Sequence, residues 1–293
     1  MPSPLRVLVM TAFGPAVASD GSGELGRWID GYGEFEREVS VPGAPTAIRV
    51  TDHGVGVTAT GMGPTHAAAS TTAYLLSDAV NPETTYFLTA GVAGVSPHAG
   101  TVGSVVLADH IVNWDAKKRY GKGTSVEPWG FGPAHAYELD RGLVDAAEDA
   151  ARGVDLEDTP DARAHRERYT AAPAVDAPAI ERGTSVAGAD FWYGHTLANE
   201  VDSLVDYHGA GSYATTECEG FGSAVACDRF QALDRYLSVR AASNFDRPPQ
   251  DEDAAGEWRL KGPAFRNAYR VGRVIADEIA KNWADWRDGP PDR

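Results

Sequence analysis

The sequence predicts an α/β protein, a three-layer α/β/α sandwich with a mixed central sheet. Three features carry that reading. The chain has 293 residues, which suits one large domain with a well-buried core. Its strand-length runs, such as residues 6–11 (RVLVMT), are continuously apolar, the mark of strands covered on both faces. Ala- and Leu-rich stretches of helical character fall between those runs, and this alternation lays helices over a sheet.

The elements follow in order. Residues 6–11 form the first buried strand. Residues 47–50 and 54–59 form a hairpin around Asp52-His53-Gly54. Gly61-Met62-Gly63-Pro64 ends it, and Pro64 suits the first turn of a helix over 65–77. Residues 86–89 are the next strand, which enters a glycine–alanine turn and a short polar loop before a strand at 103–111. Residues 113 to about 180 are less regular, with a loop at 117–133, a helix at 139–151 and the polar patch DTPDARAHRER. They read as an insertion at about 115–180, near the sheet edge of a single domain spanning 1–293. A short strand at 183–187, a helix at 219–228 and a last central strand at 236–242 follow. In the final helix, over about 262–286, Phe265, Tyr269, Gly272, Ile275, Ile279 and Trp283 fall three or four apart and make one apolar stripe.

The hydrophobic fraction of 43% is ordinary, but the net charge of −16 is not, with 21 Arg and 5 Lys against 42 acidic residues. Such a surface disfavours nucleic acid and anionic membrane as partners. It keeps a protein soluble at high salt, where screening removes self-repulsion, so a salt-loving source is the economical expectation and a merely acidic protein the alternative. Cys218 and Cys227, nine positions apart on a helix, make neither a disulfide framework nor a metal motif, which fits a reducing cytoplasm. The apolar start of the chain reads as a strand and not a signal segment, and no run reaches the roughly 18 apolar residues of a spanning helix.

Four segments lie at the ends of predicted strands: 60–65 (TGMGPT), 89–96 (TAGVAGVS), 185–195 (SVAGADFWYGH) and 215–244. Ligands collect at strand ends in open α/β sheets, so these four make one pocket. The words FLTAGVAGVSP with GTVGSVVLAD, ADFWYG, TTECEGFGSA and VRAASN, in that order over most of residues 5–245, resemble the nucleoside phosphorylase/nucleosidase superfamily and within it the purine nucleoside permease family. The resemblance implies a phosphorylase/hydrolase-like fold that binds purine nucleosides and cleaves their glycosidic bond, with no metal or organic cofactor and as a homo-oligomer.

The resemblance also implies site roles. Glu219 holds the ribose hydroxyls, a task that suits two acceptor oxygens, with Glu217 as the fallback; a capping Glu is the plain alternative. Asn244 stands where nucleosidases carry an Asp that protonates the purine. It hydrogen-bonds the base but supplies no acid proton, which leaves Asp246 as the candidate acid; otherwise Asn244 simply opens a turn. Phe191 or Trp192 stacks on the base, or packs in the core. Met62, between glycines that permit close approach, lines the site or a tight turn. Gly91, Ala93 and Gly94 offer backbone to the nucleoside. Phosphorylases hold phosphate here with an Arg and a Ser, but Thr89 and Val92 occupy those places. Lys117, Lys118 and Arg119 are the basic residues that could reach in. A dianion without such a partner is poorly neutralised, which points to water as the nucleophile, oriented by Glu24, Asp115 or Glu127. The other reading is nucleoside binding without turnover, in support of uptake through a separate membrane partner.

Overall fold

The computed structural model describes residues 3–14, 23–120, 126–132, 134–250, 259–260 and 262–291. Residues 121–125 and Pro133 of the expected 117–133 loop lie outside the described residues. The strands are β1 (Val7–Thr11), β2 (Arg37–Val39), β3 (Ile48–Val50), β4 (Val55–Ala59), β5 (Tyr86–Val95), β6 (Val105–Asn113), β7 (Lys117–Arg119), β8 (Val126–Pro128), β9 (Ala136–Glu138), β10 (Ile180–Ala187), β11 (Tyr213–Glu217) and β12 (Tyr236–Phe245). The helices are α1 (Gly23–Tyr32), α2 (Pro64–Leu75), α3 (Arg141–Ala151), α4 (Pro160–Arg166), α5 (Ala172–Val175), α6 (His195–His208), α7 (Gly220–Arg229), α8 (Pro263–Lys281) and α9 (Trp283–Trp286).

The central sheet runs β11-β10-β6-β12-β5-β1-β4-β3-β2, with β9 added on β6. It is mixed: β1 is parallel to β4 and β5, while β12 is parallel to β5 and antiparallel to β6. Every residue of β1 and β4 is buried, as continuous apolar runs require when helices cover both faces. Helices α1, α3 and α8 cover one face, and α2 and α7 the other. Gly222 of α7 lets the last two touch, because a Cβ there would collide with the Pro64 carbonyl at the start of α2. The sheet also curls on itself. The far end of β5 pairs antiparallel with β11, Gly94 with Thr216 and Val95 with Thr215, so β5, β12, β6, β10 and β11 close a ring.

Three expectations change. The glycine–alanine turn at 89–96 does not exist: β5 continues unbroken to Val95 and the chain turns only after Ser96. Gly91 and Gly94 have ordinary strand conformations. Their role is to leave room. A Cβ on Gly91 would collide with Glu24 Oε1 and lie 2.9 Å from Arg240 Nη1, and one on Gly94 would lie 2.8 Å from Thr216 Oγ1. The apolar stripe of α8 is centred on Ala264, Ala268, Val271, Ile275 and Ile279, with Tyr269 on its shoulder against Trp28, and the helix stops at Lys281 before α9 begins. Cys218 lies in the turn before α7, not on a helix. The 115–180 segment contributes Tyr137, Leu139, Leu143, Val144 and Ala147 to the main core, while β7 and β8 pair only with each other.

Candidate functional site

The strand ends converge on one cleft, lined by residues from the exit of β1 (Ala12, Phe13), α1 (Glu24), the β4–α2 turn (Met62), β5 (Val92, Ala93, Gly94), the exit of β6 (Trp114), the β10–α6 loop (Gly188, Asp190, Phe191, Trp192), β11 and its exit (Thr216 to Glu219), β12 (Ser243, Asn244) and Arg259.

One end of the cleft is ionic. Arg240, in the middle of β12, is buried and reaches Glu217 Oε2 at 2.7 Å and Glu219 Oε2 at 3.1 Å. Glu219 precedes the first residue of α7, and its Oε1 accepts from the Gly63 backbone N–H at 2.9 Å, tying the β4–α2 turn to α7. That turn needs Gly61 and Gly63 at positive φ, 86° and 90°. Glu217 accepts from the Glu219 and Gly220 N–H groups at 2.7 and 2.8 Å. Glu24, in the first turn of α1, accepts from the Ala12 and Val92 N–H groups at 2.8 and 2.9 Å. Gly91, absent from the lining, is the bare spot of β5 against which the Glu24 carboxylate and Arg240 guanidinium lie.

Three buried carboxylates therefore share one guanidinium. Burial opposes ionisation of Glu24 more than Arg240 and the two N–H donors favour it, with Glu219 adding repulsion, and its pKa is pushed up to about 7. Glu217 is raised for the same reason, burial first. The three carboxylates override the desolvation of Arg240 and hold it above its ordinary value. Arg240 Nε has no partner among the described residues.

The other end is aromatic, with Asp190 and Arg259 as its charged lining residues. Trp192 is buried and tilted against Trp114, ring centroids 5.7 Å apart. Phe191 is 57% exposed at the mouth, with the Arg259 guanidinium 5.3 Å from its ring centroid, and Met62 is exposed there too. Asn244 Nδ2 donates to the Phe245 carbonyl at 2.9 Å, and its Oδ1 accepts from Ser243 Oγ at 2.8 Å. Arg240 and Asn244 lie four positions apart along β12, roughly 13 Å of extended chain.

The structure thus brings Glu219, Asn244, Phe191, Trp192, Met62, Ala93 and Gly94 to one cleft, along with Glu24. It does not bring Asp246 there. The strand ends at Phe245, the Asp246 N–H is held by the Val95 carbonyl, and the carboxylate turns to Arg247 Nε (2.7 Å) and Tyr213 OH (2.7 Å). Thr89 faces Tyr236 OH (2.8 Å), and Val92 offers its N–H to Glu24. Lys117 packs its ammonium on Trp114 and donates to the Trp114 carbonyl (2.5 Å), Lys118 pairs with Glu127 and Arg119 with Glu200, all outside the cleft lining. Asp115 holds the Ala189 N–H instead of a ligand, and Glu127 lies on the β7–β8 hairpin. Arg240, Trp114, Ser243 and Asp190 were not anticipated. The readable signal for Arg240 was a lone charge inside an otherwise apolar central strand, YLSVRAAS. Among the described residues, no group of three or more His, Cys, Asp or Glu side chains is arranged to hold a metal ion.

The family model for purine nucleoside permeases matches residues 4–135 and 119–291. The chain belongs to the purine nucleoside permease family. Among relatives of this permease-family chain, a probable purine nucleoside permease of Schizosaccharomyces pombe is 27% identical over 264 residues, covering 78% of this chain and 76% of that one. A purine nucleoside permease of Candida albicans is 24% identical over 297 residues, covering 89% and 73%. The fold is that of solved nucleosidases. The 5′-methylthioadenosine/S-adenosyl homocysteine nucleosidase of Helicobacter pylori aligns with TM-score 0.64 at 17% identity, over 95% of this permease-family chain and 99% of its own. Futalosine hydrolase of the same organism aligns with TM-score 0.61 at 16% identity, over 94% and 98%.

Proposed function

We infer that the protein cleaves the N-glycosidic bond of purine nucleosides, with water as the nucleophile. The observation that carries this is the pairing, in one cleft, of an acidic floor containing a carboxyl balanced near neutrality with an aromatic and amide wall a nucleoside's length away. Glu219 suits the ribose hydroxyls, since a carboxylate accepts from both of a vicinal pair. Phe191 and Trp192 suit the base faces, and Asn244 its edge. Glu24, at about 7, is matched to removing a proton from water at neutral pH. The floor's excess negative charge stabilises the cationic sugar that forms as the bond breaks. The same charge repels phosphate: the buried guanidinium is already shared among three carboxylates. The nucleosidase fold and the names of the relatives support the substrate class.

The test incubates the purified protein with inosine, guanosine and adenosine, with and without phosphate, and measures base, ribose and ribose 1-phosphate. Ribose release that is independent of phosphate is expected; ribose 1-phosphate would overturn the hydrolytic reading. Glu219→Ala is expected to weaken nucleoside binding, and unchanged binding would remove Glu219 from the sugar site.

The family's permease name favours a second reading, in which the cleft binds nucleosides without turnover in support of uptake. Among the described residues, no helix is long and apolar enough to cross a membrane, so such a role calls for a separate transporting partner. Tight binding with no product would favour it. A homo-oligomer is proposed on the same resemblance, and light scattering tests it.

A further inference from the structure

The aromatic end of the cleft is joined behind its own wall. Trp192 lines it from the β10–α6 loop and Asn244 from β12. Two residues past each, the Gly194 N–H donates to the Asp246 carbonyl at 2.9 Å. The Asp246 N–H donates in turn to the Val95 carbonyl at 3.0 Å. One backbone bridge therefore ties the loop to the exit of β12 and, through it, to β5. Gly194 makes the bridge at φ 129°, a conformation open almost only to glycine, and leads directly into α6.

A buried trio holds the bridge. The Asp246 carboxylate accepts from Arg247 Nε and from Tyr213 OH, each at 2.7 Å, and Arg247 Nη2 also donates to the Tyr213 oxygen. The Asp246 side chain is fully buried and that of Arg247 is 6% exposed. Tyr213, Asp246 and Arg247 are absent from the cleft lining. Tyr213 nevertheless reaches the wall from behind, its ring meeting Trp192 edge to face with centroids 6.4 Å apart. Tyr169 OH secures the Arg247 carbonyl at 2.8 Å. Burial keeps the Asp246 pKa above its ordinary value in spite of Arg247 and the Tyr213 hydroxyl. A pair that repays its desolvation so poorly adds little stability over an apolar replacement; what it adds is a fixed geometry.

We propose that Tyr213, Asp246 and Arg247 are positioning residues that set the place of Trp192, and with it the width of the base slot, without touching the nucleoside. The proposal rests on the reading of the cleft as a nucleoside site. Contact between two ring faces weakens steeply as they separate, so a Trp192 free to tilt loses the base while the rest of the cleft is unchanged. The spacing suits this role: Gly194 follows Trp192 by two residues and Asp246 follows Asn244 by two, so loop and strand are pinned equally far from their cleft-lining side chains. It also gives a task to a buried carboxylate that faces away from the cleft.

The experiment is a double-mutant cycle read by calorimetric titration with inosine. Tyr213→Phe keeps the ring and removes the hydroxyl, and it is expected to weaken inosine binding about tenfold. In a Trp192→Phe background the same change is expected to cost less than about threefold, because its effect passes through the missing indole. In a Phe191→Ala background, which removes an exposed ring outside the trio, the loss of about tenfold is expected to return. Arg247→Lys keeps the charge but not the fork, and is expected to repeat the pattern. Exchange of the Gly194 amide, followed by NMR, is expected to quicken in both Tyr213→Phe and Arg247→Lys. Equal losses in the Trp192→Phe and Phe191→Ala backgrounds, unweakened binding, or an unchanged Gly194 exchange rate would overturn the proposal. A wild-type chain that binds no inosine while its Gly194 amide is protected would instead overturn the nucleoside reading beneath it.

Discussion

Glu24→Gln tests the ionic floor directly. Both Glu24 oxygens rest on backbone donors, and burial lifts the group from 4.5 to about 7. The folded state then holds the proton more tightly than the unfolded chain, so this group's contribution to stability is complete below pH 4.5 and is lost as pH rises through 7. The gap corresponds to about 3 kcal/mol, of which roughly 2–3 kcal/mol falls between pH 5 and pH 8. Gln cannot ionise, and it forfeits one of the two backbone hydrogen bonds at a pH-independent cost of about 1 kcal/mol. Urea unfolding of both proteins is expected to give near-equal stabilities at pH 5 and a variant more stable by about 2 kcal/mol at pH 8. A difference that does not change between the two pH values refutes the reasoning. The same variant is expected to lose riboside cleavage by about 10²-fold or more, so the more stable protein is the less active one.

Other perturbations separate the parts of the site. Arg240→Met leaves three buried carboxylates without their counter-ion and is expected to cost about 3–5 kcal/mol at neutral pH, with partial recovery in acid, read by thermal or urea unfolding. Phe191→Ala removes an exposed ring, so Tm is expected to hold while nucleoside affinity, measured calorimetrically, falls by about 1–3 kcal/mol; a large loss of stability would make Phe191 a packing residue instead. Asp246→Asn disturbs a buried ion pair and is expected to lower stability while leaving the pH profile of cleavage in place; loss of an alkaline limb would return Asp246 to the chemistry as an acid. Molar KCl is expected to raise Tm by screening the net charge of −16, and an unchanged Tm would sink the salt-loving reading.

Much of this was legible before any coordinates. The apolar runs at β1, β4, β6 and β12 announce buried strands because helices leave no face of the sheet to water. Strand ends mark the segments that hold Glu219, Asn244 and the Phe191–Trp192 pair, and the family resemblance implies their roles. What misled was composition. GVAGV has the glycines of a loop, but they serve strand β5 by admitting Glu24 and Arg240 on one side and Thr216 and Asn244 on the other, neighbours that only the folded chain supplies. Arg240 escapes a sequence reading because a strand interior is expected to be apolar; its partners lie on α1, at the end of β11 and in the turn before α7, and only the fold brings them to β12. Asp246 sits two residues past Asn244, but a register shift between Ala242 and Asn244 and the pull of Tyr213 and Arg247 carry it behind the wall.

The two residue pairs that join β5 to β11 also set a timetable for synthesis. Gly94 emerges from the ribosome long before Thr216, and Asn244 later still, so the cleft has no acidic floor or base wall until nearly the whole chain is out. The N-terminal part can begin its parallel pairing early, but a nascent chain stalled before β12 would carry an open edge on β5 and no working site. Contacts this distant are slow to form, which makes the late, ring-closing strands the stage at which a chaperone or a destabilising substitution would most affect yield.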